Sequence, residues 1–255
     1  MAKVRAVLLA AGRGVRMGID MPKTLVPVAD GKPLLHYILQ GLAVAGVGDL
    51  LVVTGYKPAD VTAYVEESWP GDPAAFVRNA RWASWGNFHS VRLGIDQSPQ
   101  SELLVVNSDI VIHPEVFRRV IAAPGDLVLA IQQKSELDPE EMRVTLEGDR
   151  IVAVGKDLDM AESHGEYAGV SLMREETLPL YASIATDVEW RADTQLYYED
   201  VYERLLDRVE ARSAAVLEGE YAEVDNPDEL DGAGSVIEAH RGAWSVGEAA
   251  RKERV

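Results

Sequence analysis

Apolar runs alternate with amphipathic helical patterns through the first half of this 255-residue chain, and that alternation narrows the folds open to it. Residues 4–10 read as a buried strand. Residues 33–45 read as a helix opened by Pro33, with Leu34, Leu35, Ile38, Leu39 and Leu42 on one face. A strand at 49–54, a helix at 58–67 and strands at 74–77 and 102–106 follow, with a helix at 88–96 between the last two. Pro114 starts another helix, and 126–131 is another strand. Such β-α-β-α order predicts an α/β fold. It should be a doubly wound, mostly parallel (mixed) sheet with helices on both faces and ligands at the carboxyl ends of its strands. The second half is less regular. A hairpin of 142–147 and 150–155 turns at Gly148-Asp149, 166–173 is a strand, and 194–209 reads as one long amphipathic helix. Short strands at 214–217 and 221–224 precede a helix at 227–240, and a charged tail fills 241–255.

The first strand ends in Ala11-Gly12-Arg13-Gly14-Val15-Arg16-Met17-Gly18, and Lys23 comes after Pro22. Glycines let a backbone wrap closely around a polyphosphate with its amides turned inward. The chain carries a net charge of −17, yet three of its 25 basic residues (Arg13, Arg16 and Lys23) gather on this loop, which implies an anionic ligand. Two common phosphate motifs fail here. A dinucleotide-binding loop needs a glycine where Met17 stands, and a P-loop needs Gly-Lys-Ser/Thr where the chain has Pro22-Lys23-Thr24.

Composition removes other classes of function. With 47% hydrophobic residues the chain can bury one sizeable core, so a single main domain is expected over 1–240. The acidic balance argues against a nucleic-acid partner. No apolar run approaches the ~18 residues of a membrane span, so no membrane partner is expected. The first strand begins within four residues of Met1, so no signal peptide is expected, and cysteine is absent. Disulfides and thiolate metal sites are thereby excluded, and the expected compartment is the reducing cytoplasm.

Two acids stand just past apolar strands. Val105-Val106-Asn107-Ser108-Asp109 fits a ligand at a strand's carboxyl end, and fits a cap or turn as well. Glu223-Val224-Asp225-Asn226-Pro227 offers the second, where Asp225 or Asn226 also suits an N-cap. A triphosphate reaction draws on a hard divalent cation held by carboxylates, so Asp109 and Asp225 are the expected Mg²⁺ pair.

The stretch from Leu9 to Lys23 also matches the L-A-A-G-x-G-x-R-M-G-x-x-x-P-K signature of nucleotidyltransferases. Through it the chain resembles the sugar-phosphate nucleotidyltransferase superfamily, and most closely the phosphocholine, inositol-phosphate and phosphonate cytidylyltransferase branch. Asn87-Phe88-His89-Ser90, Asn107-Ser108-Asp109, Lys156, Glu166-Tyr167-Ala168-Gly169-Val170, Tyr197-Tyr198-Glu199-Asp200 and Val224-Asp225 resemble further segments of that branch in order. The resemblance implies a Rossmann-like fold with a small β-rich insertion on the acceptor side. The nucleotide half covers about 1–135 and the acceptor half about 136–240. It further implies transfer of CMP from CTP to a small phosphorylated or phosphonate acceptor, with release of pyrophosphate and Mg²⁺ as cofactor. Leu9, Ala10, Ala11, Gly12, Arg13, Gly14, Asn87, Ser90 and Asn107 are then expected at the nucleotide. Lys156, Glu166, Tyr197, Tyr198 and Glu199 are expected at the acceptor, with Arg16, Lys23 and Lys156 as the catalytic cations.

Alternatives stay open at this stage. The spacing from Arg16 to Lys23 is shared with methylerythritol-phosphate cytidylyltransferases, although their Asp-Ala-Ala-Arg-Pro segment is missing. A sugar-1-phosphate uridylyl- or guanylyltransferase and a non-catalytic nucleotide-binding regulator are the other readings. Tyr197, Tyr198, Glu199, Glu166 and Trp190 suit a pocket for a cationic head group, and equally the first turn of an amphipathic helix. Trp82, Trp85 and Phe88 flank Asn87, and His89 is the histidine nearest these segments. Oligomeric state is not readable, which leaves a homodimer open.

Overall fold

The structure is a computed structural model and describes residues 3–245, so most of the charged tail expected at 241–255 lies outside the described residues. In chain order the first half runs β1 (Lys3–Ala10), β2 (Pro27–Ala29), β3 (Lys32–Pro33), α1 (Leu34–Val44), β4 (Asp49–Thr54), α2 (Pro58–Ser68), β5 (Ala75–Arg78), α3 (Phe88–Asp96), β6 (Ser101–Asn107), β7 (Ile110–Ile112), α4 (Pro114–Ala122) and β8 (Leu127–Gln133). The second half continues with β9 (Arg143–Glu147), β10 (Arg150–Gly155), β11 (Gly165–Met173), α5 (Leu178–Trp190), α6 (Tyr198–Glu203), β12 (Ala211–Ala215), β13 (Tyr221–Glu223) and α7 (Leu230–Ala239).

Nine strands form one mixed sheet among the described residues, in the order β5-β4-β1-β6-β11-β8-β12-β10-β9. β1 lies parallel to both β4 and β6, so its side chains are covered from both faces. Val7 points into one apolar layer with Phe88, Val91 and Tyr181. Ala6 and Leu8 point into the other, with Leu35, Leu39 and Phe117. This two-sided burial is why the strand reads as an unbroken apolar run. Loops that leave β1 and β6 emerge at the same edge, where Leu9 pairs in register with Asn107.

The second half turns antiparallel. β11 runs against both β6 and β8, while the first residues of β11 pair with β9 of the expected hairpin. Gly148 makes the hairpin turn at φ +67°. This arrangement carries the loop after β10, with Lys156, over the carboxyl edge. A separate two-stranded sheet pairs β13 with β7, and α7 packs on it through Val236 and Ile237 beside Val111 and Val224.

Two expectations for the helices fail. The long helix at 194–209 is only α6; Ala192 turns the chain at φ +58°, and Asp200 Oδ2 accepts from the Tyr197 amide at 2.7 Å, so the helix starts at Tyr198. The longer helix is α5, which the sequence reading did not include. Leu178, Tyr181, Ile184, Ala185 and Val188 bury one face of it, and the Tyr181 hydroxyl donates to Phe88 O at 3.1 Å.

Candidate active site

The glycine-rich loop is shaped by one lysine. Gly14 has φ +66°, and a Cβ there would lie 2.5 Å from Lys23 Cβ, so the loop rests directly on the lysine stem. Lys23 is 8% exposed. Its Nζ donates to Asp109 Oδ2 at 3.0 Å and to Asp225 Oδ1. Burial alone lowers the pKa of this ammonium, but Asp109 and Asp225 outweigh it and raise the pKa above the ordinary value. Arg16 Nη2 reaches the other oxygen of Asp225 at 2.6 Å. Residues 202 positions apart in sequence thus share one ion cluster.

Strand pairing explains how the two acids meet. Glu223 stands opposite Ile110, and the Val224 amide donates to Asp109 O at 2.8 Å. The expected pair is joined by a third carboxylate: Asp109, Glu223 and Asp225 each bring an oxygen within 4.8 Å of the others. Burial, then Asp109 and Asp225, push the Glu223 carboxyl up to about 8. Asp109 Oδ1 is buried with no hydrogen-bond partner. A hard divalent cation fits that orphaned oxygen and that donor set.

Two cavities meet at this cluster. The first, ≈ 340 Å³, is lined by Leu9, Ala11, Gly12, Gly14, Lys23 and Ser90, with Trp82 and Trp85 on its wall. The second, ≈ 160 Å³, is lined by Lys156, Glu166, Tyr197 and Glu199, with Tyr167 and Tyr221 beside them. Arg16, Asn87, Asn107, Asp109 and Asp225 line both. The expected nucleotide and acceptor sets therefore fall, with few exceptions, into two adjoining spaces that share the acidic cluster.

The exceptions are specific. Ala10 is buried in β1, and Arg13 lies over the Tyr56 ring at 5.3 Å; neither lines either of these two cavities. Tyr198, expected at the acceptor, is fully buried behind both spaces, where its hydroxyl donates to Asn107 Oδ1 at 2.9 Å. Trp190 is 87% exposed and lines neither cavity, so it takes no part in a head-group pocket. His89 packs edge-on to Trp85 and pairs with Glu189 at 3.2 Å, outside both cavities.

The sequence reading missed several lining residues. Glu223 carried a signal, because it alternates with Asp225 across Val224 and so faces the same way on a strand. Asn79 carried little. It is buried, donates to Ser90 Oγ at 3.0 Å and accepts from the Arg81 amide, which fixes Ser90 at the cavity wall. Glu140 and Met142 reach the second cavity from the loop before β9. Arg143 anchors that loop by donating to the carbonyls of Asp138 and Pro139, each at 3.0 Å.

The second cavity is strongly acidic. Lys134 holds Glu166 Oε2 at 2.6 Å and partly offsets the burial that raises its pKa. Among the described residues no cation bonds to Glu199, and Lys156 offsets its burial only through space. Burial pushes its carboxyl up to about 8, and its Oε2 is buried without a partner. Lys156 Nζ lies 5.4 Å from the centre of the Tyr197 ring and 3.9 Å from Glu140 Oε2.

The chain is similar to known proteins. The MobA-like NTP transferase domain model matches residues 6–146, more than half of the chain. CMP-5'-(3-aminopropyl)phosphonate synthase of Streptomyces rubellomurinus is 36% identical over 124 residues, covering 48% of this chain and 19% of that protein. The bifunctional protein GlmU of Azorhizobium caulinodans is 29% identical over 226 residues, covering 86% of this chain and 49% of that protein. The chain thus spans about half the length of these relatives or less. The inositol-1-phosphate CTP transferase of T. maritima has the same fold, with a TM-score of 0.77 at 20% identity over 93% of this chain and 98% of that one.

Proposed function

Since the chain belongs to the MobA-like NTP transferase family, we propose that it is a cytidylyltransferase. It transfers CMP from CTP to a small phosphonate or phosphorylated acceptor and releases pyrophosphate. The observation that carries this reading is the junction of two cavities at Asp109 and Asp225, with Lys23 bonded to both acids. A two-substrate transfer needs that layout: one space for the nucleotide, one for the acceptor, and concentrated charge where they meet. The choice of CTP rests on the names of the phosphonate synthase and the inositol-phosphate CTP transferase that the chain resembles.

The acceptor needs no general base, because a phosphomonoester or phosphonate is already largely ionised at neutral pH. Its oxygen attacks the α-phosphorus, the bond from that phosphorus to the bridging oxygen breaks, and the electron pair leaves with pyrophosphate. In this reading the Gly12–Gly14 amides and Arg16 hold the leaving phosphates. Lys23 meets the charge that develops on the α-phosphate, and Lys156 orients the acceptor. Asp109 and Asp225, with Glu223 beside them, are the groups to hold Mg²⁺, which when bound supplies charge neutralisation on the triphosphate. Glu199 and Tyr197 suit an ammonium group on the acceptor, since Glu199 lines that cavity, its Oε2 is buried without a hydrogen-bond partner, and Lys156 offsets its burial only in part.

The test is pyrophosphate release with Mg²⁺ and each of the four nucleoside triphosphates, crossed with 2-aminoethylphosphonate, 3-aminopropylphosphonate, phosphocholine, inositol-1-phosphate and glucose-1-phosphate. Release with CTP and one small acceptor is the expected result. Release confined to UTP or GTP with glucose-1-phosphate transfers the reading to a sugar nucleotidyltransferase. Nucleotide binding without release in any combination fits a regulator.

A further inference from the structure

Asn87 and Asn107 are two of the five residues that line both cavities, and one buried residue holds the carboxamide of each. The Tyr198 amide N–H donates to Asn87 Oδ1 at 2.9 Å, and the Tyr198 hydroxyl donates to Asn107 Oδ1 at 2.9 Å. Each oxygen is thereby fixed toward Tyr198. Neither Nδ2 donates to any described residue, so each amide keeps its two N–H groups for the cavities that it lines.

We propose that Tyr198 is the positioning residue that turns the Asn87 and Asn107 carboxamides, N–H side first, onto the phosphate groups at the junction of the two cavities. The proposal rests on the nucleotidyl-transfer reading and assigns to Tyr198 a role behind the substrates rather than against the acceptor.

The surroundings make this arrangement rigid. Tyr198 is completely buried, and its hydroxyl also lies 3.1 Å from the Tyr167 hydroxyl. A phenol has one proton, and the Tyr198 hydroxyl directs it at Asn107 Oδ1, the nearer acceptor at 2.9 Å, with the Tyr167 oxygen a second acceptor at 3.1 Å. Tyr198 packs edge-on to Tyr202 with ring centroids 5.3 Å apart, and Tyr202 is bonded through its hydroxyl to Ser171 at 2.8 Å. Burial holds the Tyr198 phenol well above its ordinary pKa, so it stays a donor at every working pH. On the neighbouring strand, Gly169 has φ +72°, and a Cβ there would stand 2.9 Å from Asn107 Nδ2. The position stays open for the amide that Tyr198 orients. Uncharged N–H donors fixed before substrate arrives need no reorganisation when charge develops, which is how preorganised donors lower a barrier.

Tyr198→Phe removes the hydroxyl while keeping the ring and the backbone N–H to Asn87. In uniformly ¹⁵N-labelled protein without substrate, the Asn107 side-chain amide signals should shift in this variant and those of Asn87 should not. In turnover, kcat should fall about tenfold, with the KM for CTP within about twofold and the melting temperature within a few degrees. Combining Tyr198→Phe with Asn107→Ala should cost no more than Asn107→Ala alone, since both remove the same oriented donor. Unmoved Asn107 signals, a wild-type kcat, or losses that multiply in the double variant would each overturn the proposal. Wild-type protein that turns over no nucleotide, with the Asn107 signals nonetheless shifted, overturns the transfer reading and leaves the orientation of the amides established.

Discussion

The backbone of Gly14 lies against the aliphatic stem of Lys23, so closely that a Cβ on Gly14 would stand 2.5 Å from Lys23 Cβ. The glycine-rich loop and the buried ammonium are therefore one device, and the lysine cannot reach Asp109 and Asp225 under a bulkier loop. Gly14→Ala carries about 1–2 kcal/mol of left-handed backbone cost and must displace Lys23 as well. The variant is expected to lose kcat by at least about tenfold while remaining folded. Steady-state kinetics beside a thermal melt checks this; wild-type kcat in a folded Gly14→Ala protein would contradict it.

Lys23→Ala removes the cation that bridges Asp109 and Asp225. The expected loss in kcat is ~100-fold or more, because the ammonium acts most strongly on charge that develops at the α-phosphate. Single-turnover rates with saturating CTP measure it without interference from product release.

Glu199 sets a pH dependence of stability. Burial raises its carboxyl from an ordinary value of 4.5 to about 8 in the folded protein. A group whose folded pKa is raised binds more protons folded than unfolded, so its stabilising contribution is complete below 4.5 and fades as pH rises through the folded value. Glu199→Gln does not titrate. It is expected to melt above wild type near pH 8, with the gap closing toward pH 4.5. Melting curves across that range test the sign, and a gap that widens toward low pH would refute it.

Divalent cation should bind the acidic cluster and stabilise the fold. Mg²⁺ at about a hundred times its Kd adds ~2.7 kcal/mol to a protein that binds it only when folded. Asp109→Asn removes the carboxylate with the orphaned buried oxygen and should abolish most of that gain. Calorimetric melts with Mg²⁺ and with EDTA, in the presence of CTP, give the comparison.

What could be read from the sequence divides along physical lines. β1, β4 and β6 were readable because burial on both faces leaves continuous apolar runs, and the loop after β1 was readable because Gly14, Arg16 and Lys23 have few other reasons to sit together. The pairing of Asp109 with Asp225 was expected from chemistry, yet what creates it is the β7–β13 pairing, a long-range contact with no local signal. α5 was legible and overlooked: Leu178, Tyr181, Ile184, Ala185 and Val188 recur at helical spacing, and Pro179 suits a first turn. The next helix was overextended because Ala192 adopts φ +58°, a conformation that side-chain patterns do not announce. Tyr198 was placed at the acceptor by its neighbours Tyr197 and Glu199, which do line that cavity. Successive residues of a helix point in different directions, and Tyr198 is the one that turns to the core.

The most direct test of the account is the ³¹P NMR spectrum of wild-type protein incubated with CTP, Mg²⁺ and 2-aminoethylphosphonate. The account predicts that pyrophosphate appears in step with a new phosphonate–phosphate anhydride, its two phosphorus signals coupled through the bridging oxygen. CTP left intact with this acceptor and with phosphocholine, or an anhydride that forms only when UTP replaces CTP, would contradict it.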